Sequence, residues 1–459
     1  MSAPHRFVLL FLLASGAPQV LLSQPTRLRR AELVRVVDSL ATAAAKTGAA
    51  AGFSVAVAVG SSSRFTKGYG FADLEQRVPA GPETVYRIAS ITKQFTAAAI
   101  MQLAEQGKLS LDDRLTKFLP EWPAPGDQVT VRMLLNHTSG IRDYTAVPRW
   151  GALRALPLSH DSLLGLVIRE PFDFPPGSAW RYDNTGYYLL GVIIEKVSGM
   201  GYGDYVEQRL ARPHGLTTIR YCDSRPLIAK RARGYNRTKD GFVNAGYIDM
   251  NQPYAAGSLC AAVGDLIGWS HALASGKVVS ADGYRQMTTP VPLPEDQPMS
   301  YGFGLSTGTL GGHRFVFHNG SIDGFHSQLV TYPDDSLTIA IVANTEAPLP
   351  ESLERQIARR LLRITETVVK DLPTPAELVA RVAGNYHQGD AVIRVAPEGE
   401  GLTITLPGAP ATRLLYQGGE QFVPASRREV TVTFRIEGTT ATAIVLATPG
   451  ATLMLKRAP

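Results

Sequence analysis

A proline pair at Pro373-Thr374-Pro375 separates two sequence periods. Beyond it, short runs at 392–395, 402–406, 430–436, 442–446 and 452–455 alternate apolar and polar residues, with turn residues between them. Period two puts every second side chain on one face of a strand. Several such strands, closely spaced and without a helical stretch, predict a small antiparallel β-barrel over 374–459, drawn as a partial barrel.

Before the prolines the periods are mixed. Leu33, Val36, Val37, Leu40 and Ala44 recur at helical spacing and predict a helix over about 30–48. Residues 53–59 read as a strand of alternating bulk and 64–72 as its antiparallel partner, with Gly60 in the turn. A helix over 90–106 follows, with Ser90 as N-cap and Gly107 as the C′ stop. The stretch 108–300 holds loops rich in glycine and proline and short helices such as 131–136 and 186–197. Strand-like runs then arrive at 314–318, 325–332 and 337–343, and a helix over 351–362 closes the unit. Early and late strands around a helical insert predict one α+β domain over 30–368. Its sheet joins the two ends of the unit, helices flank it, and a helical subdomain is inserted.

Composition bounds the function. The 459 residues are 44% hydrophobic and 19% charged, which suits a globular chain of two or three folding units. The net charge of +6 is spread along the chain. Its densest basic stretch, Lys230-Arg231-Ala232-Arg233, is short and lacks interleaved aromatics, which argues against nucleic acid as a partner. At the N-terminus, His5 and Arg6 precede an apolar run at 7–13, small residues and a polar exit near Ser23-Gln24. That pattern predicts a signal peptide over 1–23 and an exported, periplasmic or extracellular protein. The run is too short for a membrane span, which needs about 20 residues, and no later segment is long and apolar enough. Cys222 and Cys260 could form one disulfide in an oxidising compartment or remain two buried thiols; their spacing does not decide. Neither they nor His313 and His326 stand at metal-ligand spacing, so no metal or organic cofactor is expected.

Three short motifs carry chemistry. In Ser90-Ile91-Thr92-Lys93 the outer residues share one face of a helix, with Cβ atoms about 5–6 Å apart. The lysine can then reach the hydroxyl. A serine hydroxyl is a poor nucleophile until a base takes its proton, and a lysine serves when burial or neighbouring positive charge lowers its pKa. The Ser90 amide, at a helix N-terminus, is placed to donate to an oxyanion. Ser-x-x-Lys is common by chance, and on this motif alone a capped surface helix with an exposed lysine is the better reading. Tyr182-Asp183-Asn184 offers a phenol to relay protons and an amide to orient a substrate, or simply a turn capping the helix at Gly186. His318-Asn319-Gly320 ends a strand with a glycine that permits close backbone approach, or is an Asn-Gly turn.

The order and spacing of these motifs resemble the serine β-lactamase family in the broad sense, which includes class C β-lactamases, D-alanyl-D-alanine carboxypeptidases (peptidase family S12), D-aminopeptidases and related esterases. The segments 134–141, 176–194, 256–258 and 301–305 and Gly324-Phe325 strengthen the resemblance, which covers roughly 35–365. It implies a β-lactamase/transpeptidase-like fold in which Ser90 is the nucleophile and Lys93 and Tyr182 share the acid/base work. Asn184 would hold the substrate's amide, His318 and Gly320 would line the substrate site, and the N–H groups of Ser90 and Ser321 would form the oxyanion hole. His318 stands where many members carry lysine, which tilts the expectation towards a peptidase or esterase and away from a dedicated β-lactamase. The implied substrates are D-amino-acid peptides, β-lactams or small esters. A penicillin-binding sensor that acylates without turnover is the rival of another class. The C-terminal unit resembles the lipocalin-like barrel appended to many members. His137, in the segment Asn136-His-Thr-Ser-Gly140, reads as structural.

Overall fold

The fold was analysed in a computed structural model, which describes residues 30–458 apart from 61–62, 292, 294–299, 366–367, 389–390, 408 and 449. The signal peptide expected over 1–23 lies outside the described residues.

The expected helix α1 runs Arg30–Lys46. Strands β1 (Gly52–Val59), β2 (Ser63–Asp73) and β3 (Val78–Pro79) form one end of an antiparallel sheet, and β4 (Tyr86–Arg87) leads into helix α2 (Thr92–Glu105). After the helical insert come the short strand β5 (Arg220–Tyr221), a hairpin of β6 (Tyr235–Thr238) and β7 (Gly241–Asn244), and β8 (Leu259–Ala261). The late strands β9 (Ser306–Leu310), β10 (His313–Ile322), β11 (Phe325–Tyr332) and β12 (Leu337–Ala343) complete the sheet in the order β3-β2-β1-β12-β11-β10-β9. β1 and β12 pair at its centre, from Phe53↔Ala343 to Val59↔Leu337, so the two ends of the unit meet there.

The alternating bulk of β1 decides which layer covers which face. Phe53, Val55 and Val57 pack with Ile339 and Ile341 beneath α1 and the helix Leu349–Leu361. Ala56 and Ala58, with Ala340, face the opposite core, which contains Phe95 of α2 and Trp269 of the helix Val263–Ala274. Small residues on that face let a helix approach closely, and Phe95 and Trp269 stack with centroids 3.9 Å apart.

Glu354, on the helix Leu349–Leu361, is 3% exposed and accepts from Tyr332 Oη at 2.9 Å. Burial pushes its pKa up to about 7. The folded protein therefore binds a proton that the unfolded chain releases near the ordinary value of 4.5. Stability is greatest below that value and falls as pH rises towards 7. Gln328 donates towards the Glu354 carboxyl and opposes part of the rise in its pKa, a contact that the oxygen of a glutamine amide can also accept. Glu354→Gln is expected to stabilise the protein at pH 8 by roughly 3 kcal/mol and to flatten the fall between pH 4.5 and 7. Thermal melts across that range check this; a parallel pH profile in the variant would refute it.

The C-terminal unit is a closed barrel of eight antiparallel strands, which corrects the partial barrel expected. Its first strand, Gly384–Gln388, pairs with its last, Ala451–Arg457, through Tyr386↔Arg457. Tyr386, Ile393, Leu402, Phe422, Phe434 and Leu455 are among the side chains that fill it. The barrel meets the sheet edge where Ser300 Oγ donates to the Gly450 carbonyl at 3.1 Å.

Cys222 and Cys260 are buried free thiols. They are diagonal neighbours, since Cys260 pairs with Arg220 and the Cys222 N–H donates to the Ser258 carbonyl at 2.8 Å. Among the described residues no helix is long and apolar enough to cross a membrane.

Candidate active site

Ser90 sits in a tight 3-10 turn, Ala89–Ile91, rather than on the first turn of an α-helix. Ala89 has φ +47°, a conformation that costs a non-glycine residue about 1–3 kcal/mol and persists only where the surroundings enforce it. The capping role expected of Ser90 is not observed: no side chain caps this turn or α2. The Ser90 hydroxyl instead faces Lys93 Nζ at 3.3 Å. Gly107, with φ +69°, stops α2 as expected.

Lys93 is completely buried. Its Nζ also donates to Asn184 Oδ1 and to the Ala256 carbonyl, each at 2.9 Å. Burial is the main reason its pKa falls to about 7, with Asp143 and Asp183 partly opposing that fall. Both carbonyl oxygens can only accept. When the amine is neutral they take its two N–H bonds, and the lone pair is left towards Ser90 Oγ. The amine is thus oriented to receive the serine proton.

Tyr182 closes the other side. Lys93 Nζ lies 4.7 Å from its ring centroid, and the Ser90 side chain acts on its hydroxyl, partly opposing the effect of burial. Burial, ahead of the nearby carboxylates of Asp143 and Asp183, raises its pKa well above the ordinary value, so the phenol keeps its proton at neutral pH. Asp183 caps the helix Asn184–Ser198, accepting from the N–H groups of Thr185 at 2.7 Å and Gly186 at 2.9 Å. The capping turn and the chemical motif are therefore the same residues.

Asn184 is held at both ends. Its Oδ1 faces Lys93, and its Nδ2 donates to Asp143 Oδ2 at 3.0 Å. Sequence reasoning did not single out Asp143. It stands three residues after Gly140, with no spacing that marks it, and only the fold brings it to Asn184. His137 is structural: its φ is +62°, its Nδ1 accepts from the Asp183 N–H at 3.1 Å, and its ring lies 4.5 Å from that of Tyr182.

His318 is 4% exposed. Its Nδ1 lies 2.5 Å from the Asn319 carbonyl and must donate to it, leaving Nε2 to accept from Tyr301 Oη at 2.9 Å. Burial, then the charge of Lys93, lowers its pKa to about 3. The position therefore offers no cation at neutral pH. Gly320 permits a close approach, as expected, but to protein: a Cβ there would lie 2.4 Å from the Ile88 carbonyl oxygen and 2.9 Å from Ser90 N.

Ser90, Asn184 and Ser321 line one cleft of ≈ 260 Å³, with Tyr144, Trp150, Arg154, Ile248, Asp323 and Glu346 among its other walls. Among the described residues no three His, Cys, Asp or Glu side chains are grouped to hold a metal ion. The arrangement supplies a hydroxyl at the cleft, a buried amine poised between charge states beside it, and a neutral phenol next to that amine. That inventory suits acyl transfer through serine.

Comparison with known proteins agrees. The family model described as Beta-lactamase matches residues 37–364. The mitochondrial serine beta-lactamase-like protein LACTB of Homo sapiens is 30% identical over 393 residues, covering 65% of this chain and 71% of that protein. A D-aminopeptidase of Cereibacter sphaeroides is 27% identical over 366 residues, covering 78% and 67% respectively. The solved structure of a D-stereospecific amidohydrolase from Streptomyces sp. superposes with a TM-score of 0.61 at 27% identity, over 72% of this chain and 98% of that one. The sheet, the Ser90–Lys93 turn and the matched span together make this chain a serine hydrolase of the β-lactamase family.

Proposed function

We propose that the protein hydrolyses amide or ester bonds of D-amino-acid derivatives through an acyl-enzyme on Ser90. The observation that carries this reading is the Lys93 amine: fully buried, 3.3 Å from Ser90 Oγ, and shifted to a pKa of about 7. Neutral Lys93 takes the Ser90 proton as Oγ attacks the substrate carbonyl carbon. The oxyanion is received between the N–H groups of Ser90 and Ser321. Lys93, now charged, returns the proton to the leaving group, with the Tyr182 hydroxyl as relay. Water then attacks the ester by the reverse route, its proton passing to Lys93 and on to Ser90 Oγ. Asp143 and Asn184 hold the amine in place. The similarity to a D-aminopeptidase and to a D-stereospecific amidohydrolase supports the substrate class.

The test is intact mass over time with benzylpenicillin, alongside turnover of D-alanine p-nitroanilide, for the native protein and Ser90→Ala. An adduct and turnover that both require Ser90 are expected. A stable adduct with no turnover of any substrate would instead identify a penicillin-binding sensor. Ester hydrolysis without anilide hydrolysis would identify an esterase.

A further inference from the structure

The charges lining the cleft are unbalanced. Two carboxylates, Asp323 and Glu346, face one guanidinium, Arg154. Arg154 is already committed, with its Nη2 2.8 Å from Asp323 Oδ1. Glu346 is exposed, and its carboxylate accepts a hydrogen bond from Ser321 Oγ at 3.0 Å. The position that could have supplied a cation, His318, is buried and spends both ring nitrogens on Asn319 and Tyr301. A substrate carboxylate entering this cleft meets an uncompensated negative charge and no free cation among the described residues of its wall. A substrate ammonium meets an acceptor.

We propose that Glu346 is the specificity-determining residue that receives the free α-ammonium of the substrate's acyl half, so that the enzyme prefers D-amino-acid amides and peptides with an unblocked N-terminus. The inference rests on the acyl-enzyme reading above. Its geometry follows from Ser321. When the substrate carbonyl oxygen lies against the Ser321 backbone, the α-carbon substituents lie beside it. The Ser321 side chain is the group that Glu346 already touches. The carboxylate gains a charge-assisted hydrogen bond there, which is stronger than the one it makes to a neutral hydroxyl. N-acylation of the substrate removes that charge, and a carboxylate on the acyl half is repelled.

The experiment compares kcat/KM for D-alanine p-nitroanilide and N-acetyl-D-alanine p-nitroanilide in the native protein, Glu346→Gln and Glu346→Asp. p-Nitrophenyl acetate serves as a neutral reference. The native protein is expected to prefer the free amine. Glu346→Gln should lose about 10- to 100-fold on that substrate while changing less than about threefold on the other two, and Glu346→Asp should recover part of the loss. An equal loss on all three substrates would reduce Glu346 to a support for Ser321 and overturn the proposal. A native preference for the acetylated anilide, or ester turnover with neither anilide cleaved, would overturn it too while leaving the hydrolase standing. Absence of any Ser90-dependent turnover would bring down the acyl-enzyme reading and this inference with it.

Discussion

Lys93→Met and Lys93→Arg are each expected to lower kcat/KM by roughly 10³- to 10⁴-fold, the upper part of the range for removing a positioned general base. Methionine fills the volume without a lone pair, and a guanidinium does not give up its proton in the accessible pH range. In the native protein kcat/KM should rise with pH through about 7, because the amine is active only when deprotonated and burial has brought its pKa to that value. His318 titrates near 3, and burial holds His137 well below the ordinary histidine range, so neither produces a limb at neutrality. Tyr182 is shifted upward and adds no falling limb there. Glu354 titrates near 7 as well, but it sits on the opposite face of the sheet, so Glu354→Gln should keep the limb intact. In the proposed mechanism Ser90, Lys93 and Tyr182 act as one unit, so Ser90→Ala/Lys93→Met should be little worse than Ser90→Ala alone. A Lys93→Met protein within tenfold of native activity, with its limb still at pH 7, would remove Lys93 as the base.

What the sequence disclosed and what it hid follow physical lines. Strands with a clean period were legible: β1, β11 and β12 lie close to where their alternation or apolar runs put them, because tertiary burial of a strand face writes itself at every second residue. The barrel strands Gly384–Gln388, Thr412–Gly418 and Gln421–Pro424 were not legible. The first buries Tyr386 as its one core side chain, and the second sets Leu414 beside Leu415, which breaks the alternation. Missing them left the barrel open on paper. At the site, spacing brought out Ser90 with Lys93 and Tyr182 with Asn184, because each pair lies within one turn of chain. The partners of Lys93 were hidden for the opposite reason: Ala256 lies 163 residues away in sequence and Asn184 lies 91. The same limit explains His318. It was expected to line the substrate site in place of a lysine, whereas its burial and its bond to Tyr301, which keep it neutral, are not displayed by a linear motif. Tyr301 belongs to a Tyr-Gly-Phe-Gly segment whose second glycine, Gly304, has φ +66° and would place a Cβ 2.5 Å from the Lys93 carbonyl oxygen. That segment is shaped by its fit against α2.

Gly320→Ala is expected to cost about 10²- to 10³-fold in kcat with little change in KM, the size of loss seen when one oxyanion donor is misplaced. The alanine methyl would sit 2.4 Å from the Ile88 carbonyl oxygen, 2.6 Å from Ser327 Oγ and 2.9 Å from Ser90 N. Two of those three are backbone atoms and cannot swing aside. The Ser327 hydroxyl is held by its own bond to the Ile88 carbonyl at 2.8 Å. β10 must therefore withdraw from the Ser90 turn, and Ser321, the next residue, moves with it. A displacement of about 1 Å is enough to lose two orders of magnitude at a reacting centre. The substrate pocket beyond Ser321 keeps its walls, which is why binding should change less than turnover. Overpacking should also lower stability by about 1–3 kcal/mol, so the activity must be read well below the melting transition. Gly264→Ala is the control: that glycine lies in the helix Val263–Ala274, where an added Cβ meets nothing within 4 Å, and helix propensity predicts a gain of up to about 1 kcal/mol. If Gly320→Ala kept native kcat while folding normally, the close approach of β10 to the Ser90 turn would serve packing alone. The pairing of Ser90 and Ser321 as oxyanion donors would then have to be abandoned.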